Sequence, residues 1–170
     1  LAAVVRHVPV APGGAPDALV AREWLVTNGI GGYASAAVAG LGLASAWIDG
    51  EIVVFGNDGA PDFNALQKAF DASRTAAIRY CVFDLPFADG ADLRAKPLAE
   101  RRAALERIVD AAPAAVRERV RFSQAFDAAP AELLQSACRM RLEGVIGKRL
   151  DAPYVSKRSP AWIKLKCTAR

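Results

Sequence analysis

The strongest candidate chemistry lies in residues 143–166, where acidic and basic side chains flank short apolar runs. Strand geometry would place Lys164 and Lys166 on one face, so that two ammonium groups meet one anion. Glu143 and Lys148 bracket a segment able to form a buried strand. A carboxylate beside a polyphosphate is useful as a ligand for a divalent metal ion. Spacing alone favours a basic surface hairpin with solvated lysines, and a polyphosphate and metal site is the functional interpretation of the same pattern.

Hydrophobic periodicity and turn residues predict the elements that would position this segment. Strands are expected at 23–27, 51–55, 78–84, 116–123, 144–148 and 162–166, and helices at 63–72, 96–110 and 130–142. In the first helix, Phe63 and Leu66 should share the buried face. In the second, the charged residues, including Arg101 and Arg102, should be solvated. Helices mixed with short strands predict an α+β domain with mainly antiparallel sheet.

Composition and charge predict a single soluble, cytoplasmic and monomeric globular domain with a phosphate-bearing partner. The chain of 170 residues is 53% hydrophobic, with neither an apolar run of membrane-spanning length nor a secretory signal pattern. Residues 1–67 contain two basic and six acidic side chains, whereas the whole chain carries a net charge of +4. Positive charge is therefore concentrated in the C-terminal part. It favours a nucleotide or nucleic acid partner, although solvated basic helices would give the same imbalance.

Histidine and cysteine usage argues against several kinds of catalytic site. His7 is the only histidine and lies in a stretch expected to be loosely ordered, so histidine acid–base chemistry is disfavoured. Cys81, Cys138 and Cys167 are odd in number and far apart, which indicates neither a disulfide framework nor a metal cluster. We expect reduced thiols.

Four sequence blocks occur in a recognisable order in the C-terminal two thirds of the chain. They are DGE at 49–51, YCVFDL at 80–85, EGVIGK at 143–148 and WIKLK at 162–166. Together they resemble the adenylation (nucleotidyltransferase) domain of ATP-dependent DNA ligases, closest to the ligase module of the bacterial multifunctional end-joining enzyme. The resemblance implies an α+β, truncated nucleotidyltransferase (ATP-grasp-like) domain with mainly antiparallel sheets flanked by helices.

The resemblance also implies an activity and its partners. The family moves AMP from ATP to an active-site lysine, then to a DNA 5′-phosphate, and finally seals the nick. ATP, Mg²⁺ or Mn²⁺, and nicked or broken double-stranded DNA would be the ligands, in DNA repair and recombination. No membrane partner is implied.

Specific residues receive roles through the same resemblance. Glu51 would hold the ribose side of the nucleotide, Phe83 would stack on adenine, and Glu143 would help bind the metal ion. Without the resemblance, Phe83 is better interpreted as a core phenylalanine, and Glu51 as a surface acid near a turn. The lysines implied to neutralise phosphate charge are Lys148, Lys164 and Lys166.

The chain departs from the family pattern at the nucleophile. The family's lysine motif should precede residues 49–51, but the first lysine is Lys68. Arg22 cannot replace it, because a guanidinium group is never appreciably deprotonated. The chain also ends at Arg170, which leaves no length for the family's OB-fold domain. We therefore expect a domain with no catalytic nucleophile, defective in self-adenylation alone, and a non-catalytic remnant is the alternative.

The N-terminal segment resembles a different family. Residues 22–40, REWLVTNGIGGYASAAVAG, resemble the N-terminal segment of bacterial glycogen debranching enzymes. We therefore predict a junction that separates a loosely packed, non-ligase segment at 1–46 from a partial ligase domain at 47–170. Carbohydrate binding through residues 22–40 is a third interpretation.

Overall fold

The computed structural model describes residues 4–6, 40–71, 75–140, 142–157 and 159–167. Within these ranges the strands group into a five-stranded sheet and a two-stranded hairpin. This mixture of helices and mainly antiparallel sheets confirms the predicted α+β class. The elements are β1 (Val4–Arg6), β2 (Ala46–Val53), α1 (Phe63–Asp71), a 3-10 turn (Thr75–Ala77), β3 (Arg79–Ala88), β4 (Ala91–Asp92), α2 (Leu98–Ala111), α3 (Ala114–Arg117), β5 (Val120–Phe122), α4 (Pro130–Arg139), β6 (Gly144–Lys148) and β7 (Trp162–Lys166).

The main sheet is built around β2 and β3, which pair antiparallel. β1 and β4 pair antiparallel with β2 and β3 respectively, and β5 lies parallel to β3. Gly50 pairs with Val82, and a Cβ at Gly50 would lie 2.6 Å from the Tyr80 ring. Glycine therefore allows this ring to pack flat on β2, where the Tyr80 hydroxyl donates to the Ile48 carbonyl at 2.7 Å. The buried core lies on this face of the sheet.

Helix α2 covers the core face and carries a charged residue in its buried stripe. Leu98, Arg101, Leu105 and Val109 are all buried, and Arg101 is only 1% exposed. The prediction that this residue would be solvated is therefore wrong. Its guanidinium instead forms a buried ion pair with Asp84, in which Nε lies 2.7 Å from Oδ1.

The hairpin of β6 and β7 has the two strands that the sequence predicts, at the same residues. Gly144 pairs with Lys166 and Lys148 pairs with Trp162 across an antiparallel register. Helix α4 is the last helix before the hairpin in the described chain, and it packs beside β6. The hairpin therefore presents the acidic and basic residues of 143–166 on a short, regular support.

Several other predictions need correction. In α1, Leu66 is buried but Phe63 is 53% exposed, so the two residues do not share a buried face. Strand β2 spans Ala46–Val53 instead of 51–55, and the residues that precede Glu51 in this strand are buried. The predicted strand at 116–123 is reduced to β5, since its start belongs to α3.

The cysteine prediction is also wrong, because Cys138 and Cys167 form a disulfide, while Cys81 is free. The pairing joins the end of α4 to the residue after β7. The predicted strand at 23–27 and the segment around His7 lie outside the described residues. Across the ranges that the structure covers, no helix combines the length and apolar character that a membrane span requires.

Candidate functional site

An aromatic pair on β3 and β7 encloses the side chain of Lys148. The Lys148 Nζ lies 3.7 Å from the centroid of the Phe83 ring and 4.2 Å from that of Trp162. Burial lowers the pKa of Lys148 to about 8, although the negative charges of Asp84 and Asp49 oppose this shift. The ammonium group is thus largely desolvated and stabilised by two π faces. Phe83 and Lys148, both predicted site residues, are in direct contact, and Trp162 is a further member of the site.

A second cluster lies at the other end of the hairpin. Lys164 Nζ is 2.9 Å from Glu143 Oε1, and Lys166 Nζ is 3.9 Å from the same oxygen. The two lysines therefore face one carboxylate, as strand alternation predicts. The hydrogen bond from Lys164 and its charge lower the pKa of Glu143. All three side chains are exposed, so solvent screens their attraction and a stronger anion can compete for the lysines.

Glu51 connects the main sheet with this second cluster. It pairs with Cys81 across β2 and β3, and Phe83 lies two residues further along β3 on the same face. Burial raises the pKa of Glu51, and the negative charge of Glu143 adds to the rise while Lys164 opposes it. Glu51 is therefore within electrostatic range of the hairpin. The predicted site residues form two neighbouring clusters, one at Phe83 and one at Glu143.

The acidic residues limit how a divalent cation could bind. Nowhere in the described ranges do three or more His, Cys, Asp or Glu side chains form a group that could hold a metal ion. Mg²⁺ is commonly bound by one or two carboxylates together with substrate phosphates. Glu143, an exposed carboxylate at the base of the hairpin, fits that arrangement. The donor set suits a cation shared with a polyphosphate rather than a cage made by protein alone.

Buried polar contacts anchor the segment after β6 to the rest of the fold. The Arg101 guanidinium donates to both oxygens of Asp84, at 2.7 and 2.9 Å, and to the Ala152 carbonyl at 3.2 Å. The Tyr154 hydroxyl donates to Asp49 Oδ2 at 2.8 Å. Asp84 follows Phe83 in β3, and Asp49 is two residues from Glu51 in β2. These contacts were not predicted, and they fix the hairpin relative to the strands that carry the aromatic and acidic site residues.

Comparison with known proteins identifies the class of protein that this fold and site define. Residues 34–166 match the family described as ATP dependent DNA ligase domain. The chain therefore belongs to the ATP-dependent DNA ligase family, and its fold is that of a ligase nucleotidyltransferase domain. The junction at residues 46 and 47 and the likeness of residues 22–40 to debranching enzymes remain predictions.

The chain is similar to particular ligases in sequence. It is 51% identical over 134 residues to the multifunctional non-homologous end joining protein LigD of Pseudomonas aeruginosa, which covers 79% of this chain and 16% of that protein. It is 34% identical over 120 residues to the SPbeta prophage-derived DNA ligase-like protein LigB of Bacillus subtilis, which covers 69% of this chain and 43% of that protein. The chain thus spans less than half the length of either relative.

Solved structures show the same relationship. The ligase domain of M. tuberculosis LigD superposes with a TM-score of 0.63 at 27% identity, over 79% of this chain and 42% of that one. A mycobacterial DNA ligase D complexed with ATP and MES has a TM-score of 0.59 at 28% identity, over 72% of this chain and 38% of that one.

Proposed function

We propose that this chain binds ATP, with Mg²⁺ or Mn²⁺, between β3 and the β6–β7 hairpin, as part of AMP transfer in DNA nick sealing. The observation that carries the proposal is the contact between Phe83 and Lys148, with Glu143, Lys164 and Lys166 on the same hairpin. An aromatic face beside a set of cations has the chemistry required for a base joined to a polyphosphate.

The adenine would stack on the Phe83 ring, and Glu51 would accept hydrogen bonds from the ribose. The Lys148 ammonium now occupies one face of that ring. On nucleotide binding it exchanges this contact for the phosphates, because a charge-assisted hydrogen bond in a desolvated site exceeds a cation–π contact in strength. The Trp162 ring, whose centroid lies 4.2 Å from the same ammonium, offers a second π contact that Lys148 can keep while it binds phosphate.

The phosphates would complete the second cluster. Lys164 and Lys166 both face Glu143, and exposed ion pairs of this kind contribute little stability. A polyphosphate can therefore attract the lysines at small cost and leave the Glu143 carboxylate available to a divalent cation. The lysines then oppose the charge that develops on phosphate during AMP transfer.

The sequence places a limit on what the chain does by itself. We further propose that the nucleophilic amine of the family is missing from this chain, since its first lysine, Lys68, follows residues 49–51 instead of preceding them. We infer that the chain alone binds ATP without forming a covalent AMP adduct. Nicked or broken double-stranded DNA in the cytoplasm is the proposed substrate of the whole ligase, and the domain acts as a monomer.

Calorimetric titration with ATP and excess Mg²⁺ tests this proposal. Lys164→Met should weaken binding by about tenfold, the loss expected for one charge-assisted contact. Lys157→Met is the matched control, because Lys157 is an exposed lysine between β6 and β7, and should leave affinity unchanged. An absence of binding would refute the proposal, and equal losses in both variants would show that only diffuse positive charge attracts the nucleotide. Labelled ATP followed by a denaturing gel should show no adduct.

A further inference from the structure

The disulfide between Cys138 and Cys167 encloses the residues of the candidate site. Cys138 lies in the last turn of α4 and Cys167 directly follows β7, with their Cα atoms 5.5 Å apart. The closed loop spans a sequence separation of 29 residues and contains the whole β6–β7 hairpin. The crosslink thus joins the two ends of the segment that carries Glu143 and the three lysines.

The other links at the base of the hairpin are non-covalent. The Cys167 amide donates to the Glu143 carbonyl at 2.8 Å, and the Leu142 amide donates to the Ala137 carbonyl at 2.9 Å. The ion pair of Glu143 with Lys164 is exposed. A two-stranded hairpin is marginally stable alone, and exposed ion pairs add little. The covalent bond is therefore the contact at this base that restricts the hairpin most.

The bonded sulfurs are open to exchange, whereas the remaining cysteine is protected. Cys138 is exposed and Cys167 half-buried, so an attacking thiolate approaches this pair more readily than a buried one. Cys81 lies opposite Glu51 in the main sheet, and burial together with that carboxylate raises the pKa of its thiol to about 11. Because the thiolate is the reactive species, Cys81 should be inert at neutral pH. Redox chemistry should be confined to the pair at the hairpin base.

We propose that Cys138 and Cys167 form a reversible redox site, in which the disulfide holds the hairpin in the arrangement that binds the nucleotide. In the oxidation, two thiols reduce one glutathione disulfide to two glutathione thiols, and one sulfur–sulfur bond replaces another. A dithiol reductant reverses the reaction. Reduction removes the crosslink at the end of β7, so the pairing of Gly144 with Lys166 can fray, Lys166 and Glu143 lose their fixed positions and the affinity for ATP falls. This regulation rests on the proposed ATP site.

The test compares the chain equilibrated with glutathione disulfide against the chain reduced with dithiothreitol. The sequence has three cysteines, so thiol titration after denaturation should count one thiol in the first state and three in the second. Calorimetry should show ATP binding at least about fivefold tighter in the oxidised state. Amide hydrogen exchange in residues 143–148 and 162–166 should be slower in that state, whether or not ATP is present.

Variants separate this site from general effects of the reductant. The double substitution Cys138→Ser with Cys167→Ser should abolish the response of exchange and affinity to dithiothreitol, whereas Cys81→Ala should keep it. Three thiols after glutathione disulfide treatment, or equal hairpin exchange in the two states, would overturn the proposal. If neither state binds ATP, the proposed function fails, and the exchange measurement still decides whether the disulfide orders the hairpin. Equal ATP affinity in both states would overturn the regulatory claim.

Discussion

The pH dependence of ATP binding should report directly on Lys148, whose ammonium lies between the rings of Phe83 and Trp162. Burial lowers the pKa of Lys148 to about 8 from 10.5. Raising the pH from 7 to 9 should take this side chain from about nine tenths charged to about one tenth charged. If the charged form binds phosphate, ATP affinity falls about tenfold across this range, whereas a lysine of ordinary pKa would change it by less than about a twentieth.

The assay is calorimetric titration with ATP and excess Mg²⁺ at pH 7, 8 and 9 and constant ionic strength. Lys148→Arg is the matched variant, because a guanidinium group keeps its charge throughout this range. Its affinity should therefore be nearly independent of pH. A flat profile for the unaltered chain, or an equal tenfold loss in Lys148→Arg, would refute the reasoning that the loss arises from this ammonium group.

The same shift predicts the opposite pH dependence for stability. The pKa of Lys148 is about 8 in the folded state and 10.5 in the reference state, so between these values the unfolded chain binds more protons. The contribution of Lys148 to the free energy of unfolding should therefore rise with pH in that window, by at most about 3 kcal/mol. It is measured as the difference between the unaltered chain and Lys148→Met. Burial also raises the pKa of Cys81, to about 11, but Cys81 is present in both proteins and its ionisation therefore cancels in the difference.

Two further substitutions test the anchoring of the fold, each by urea unfolding. Arg101→Met should lower the free energy of unfolding by about 3–5 kcal/mol, because Asp84 would keep an uncompensated buried charge. The control is Arg107→Met, at an exposed position of the same helix, which should change the free energy of unfolding by less than about 0.5 kcal/mol. Similar losses in the two variants would contradict the role of the ion pair. Gly50→Ala should cost about 1–3 kcal/mol, since the new Cβ would lie 2.6 Å from the Tyr80 ring and 2.8 Å from the Cys81 carbonyl oxygen, and a neutral result would show that both the ring and the β2–β3 backbone can shift.

The hairpin was the most predictable part of the fold. Its strands agree with the prediction because 144–148 is a short apolar run between Glu143 and Lys148, and 162–166 alternates apolar and charged side chains. The shared orientation of Lys164 and Lys166 followed from the same alternation. Local periodicity was sufficient for these features.

The buried position of Arg101 could have been read from its spacing. It lies three residues after Leu98 and four before Leu105, within the apolar stripe of α2. Treating every charged residue of this helix as solvated overlooked that position. A buried arginine at helical spacing indicates a buried carboxylate partner, and the structure supplies Asp84.

Other features depend on tertiary contacts that sequence spacing does not encode. The pairing of Cys138 with Cys167 requires α4 to end beside the end of β7. The enclosure of Lys148 requires the hairpin to pack against β3 so that Phe83 and Trp162 meet the same ammonium group. Phe63 was misplaced because apolar character alone does not decide which helix face is covered.

The most direct test of the account is where the adenine of bound ATP lies. Nuclear Overhauser effects between the adenine protons and aromatic ring protons can be measured in the ATP and Mg²⁺ complex, with Phe83→Leu used to assign the Phe83 signals. We expect effects to the Phe83 ring, whose centroid lies 3.7 Å from the Lys148 ammonium in the absence of nucleotide. If the adenine protons at saturating ATP show effects only to aromatic rings outside β3, the proposed position of the adenine is contradicted.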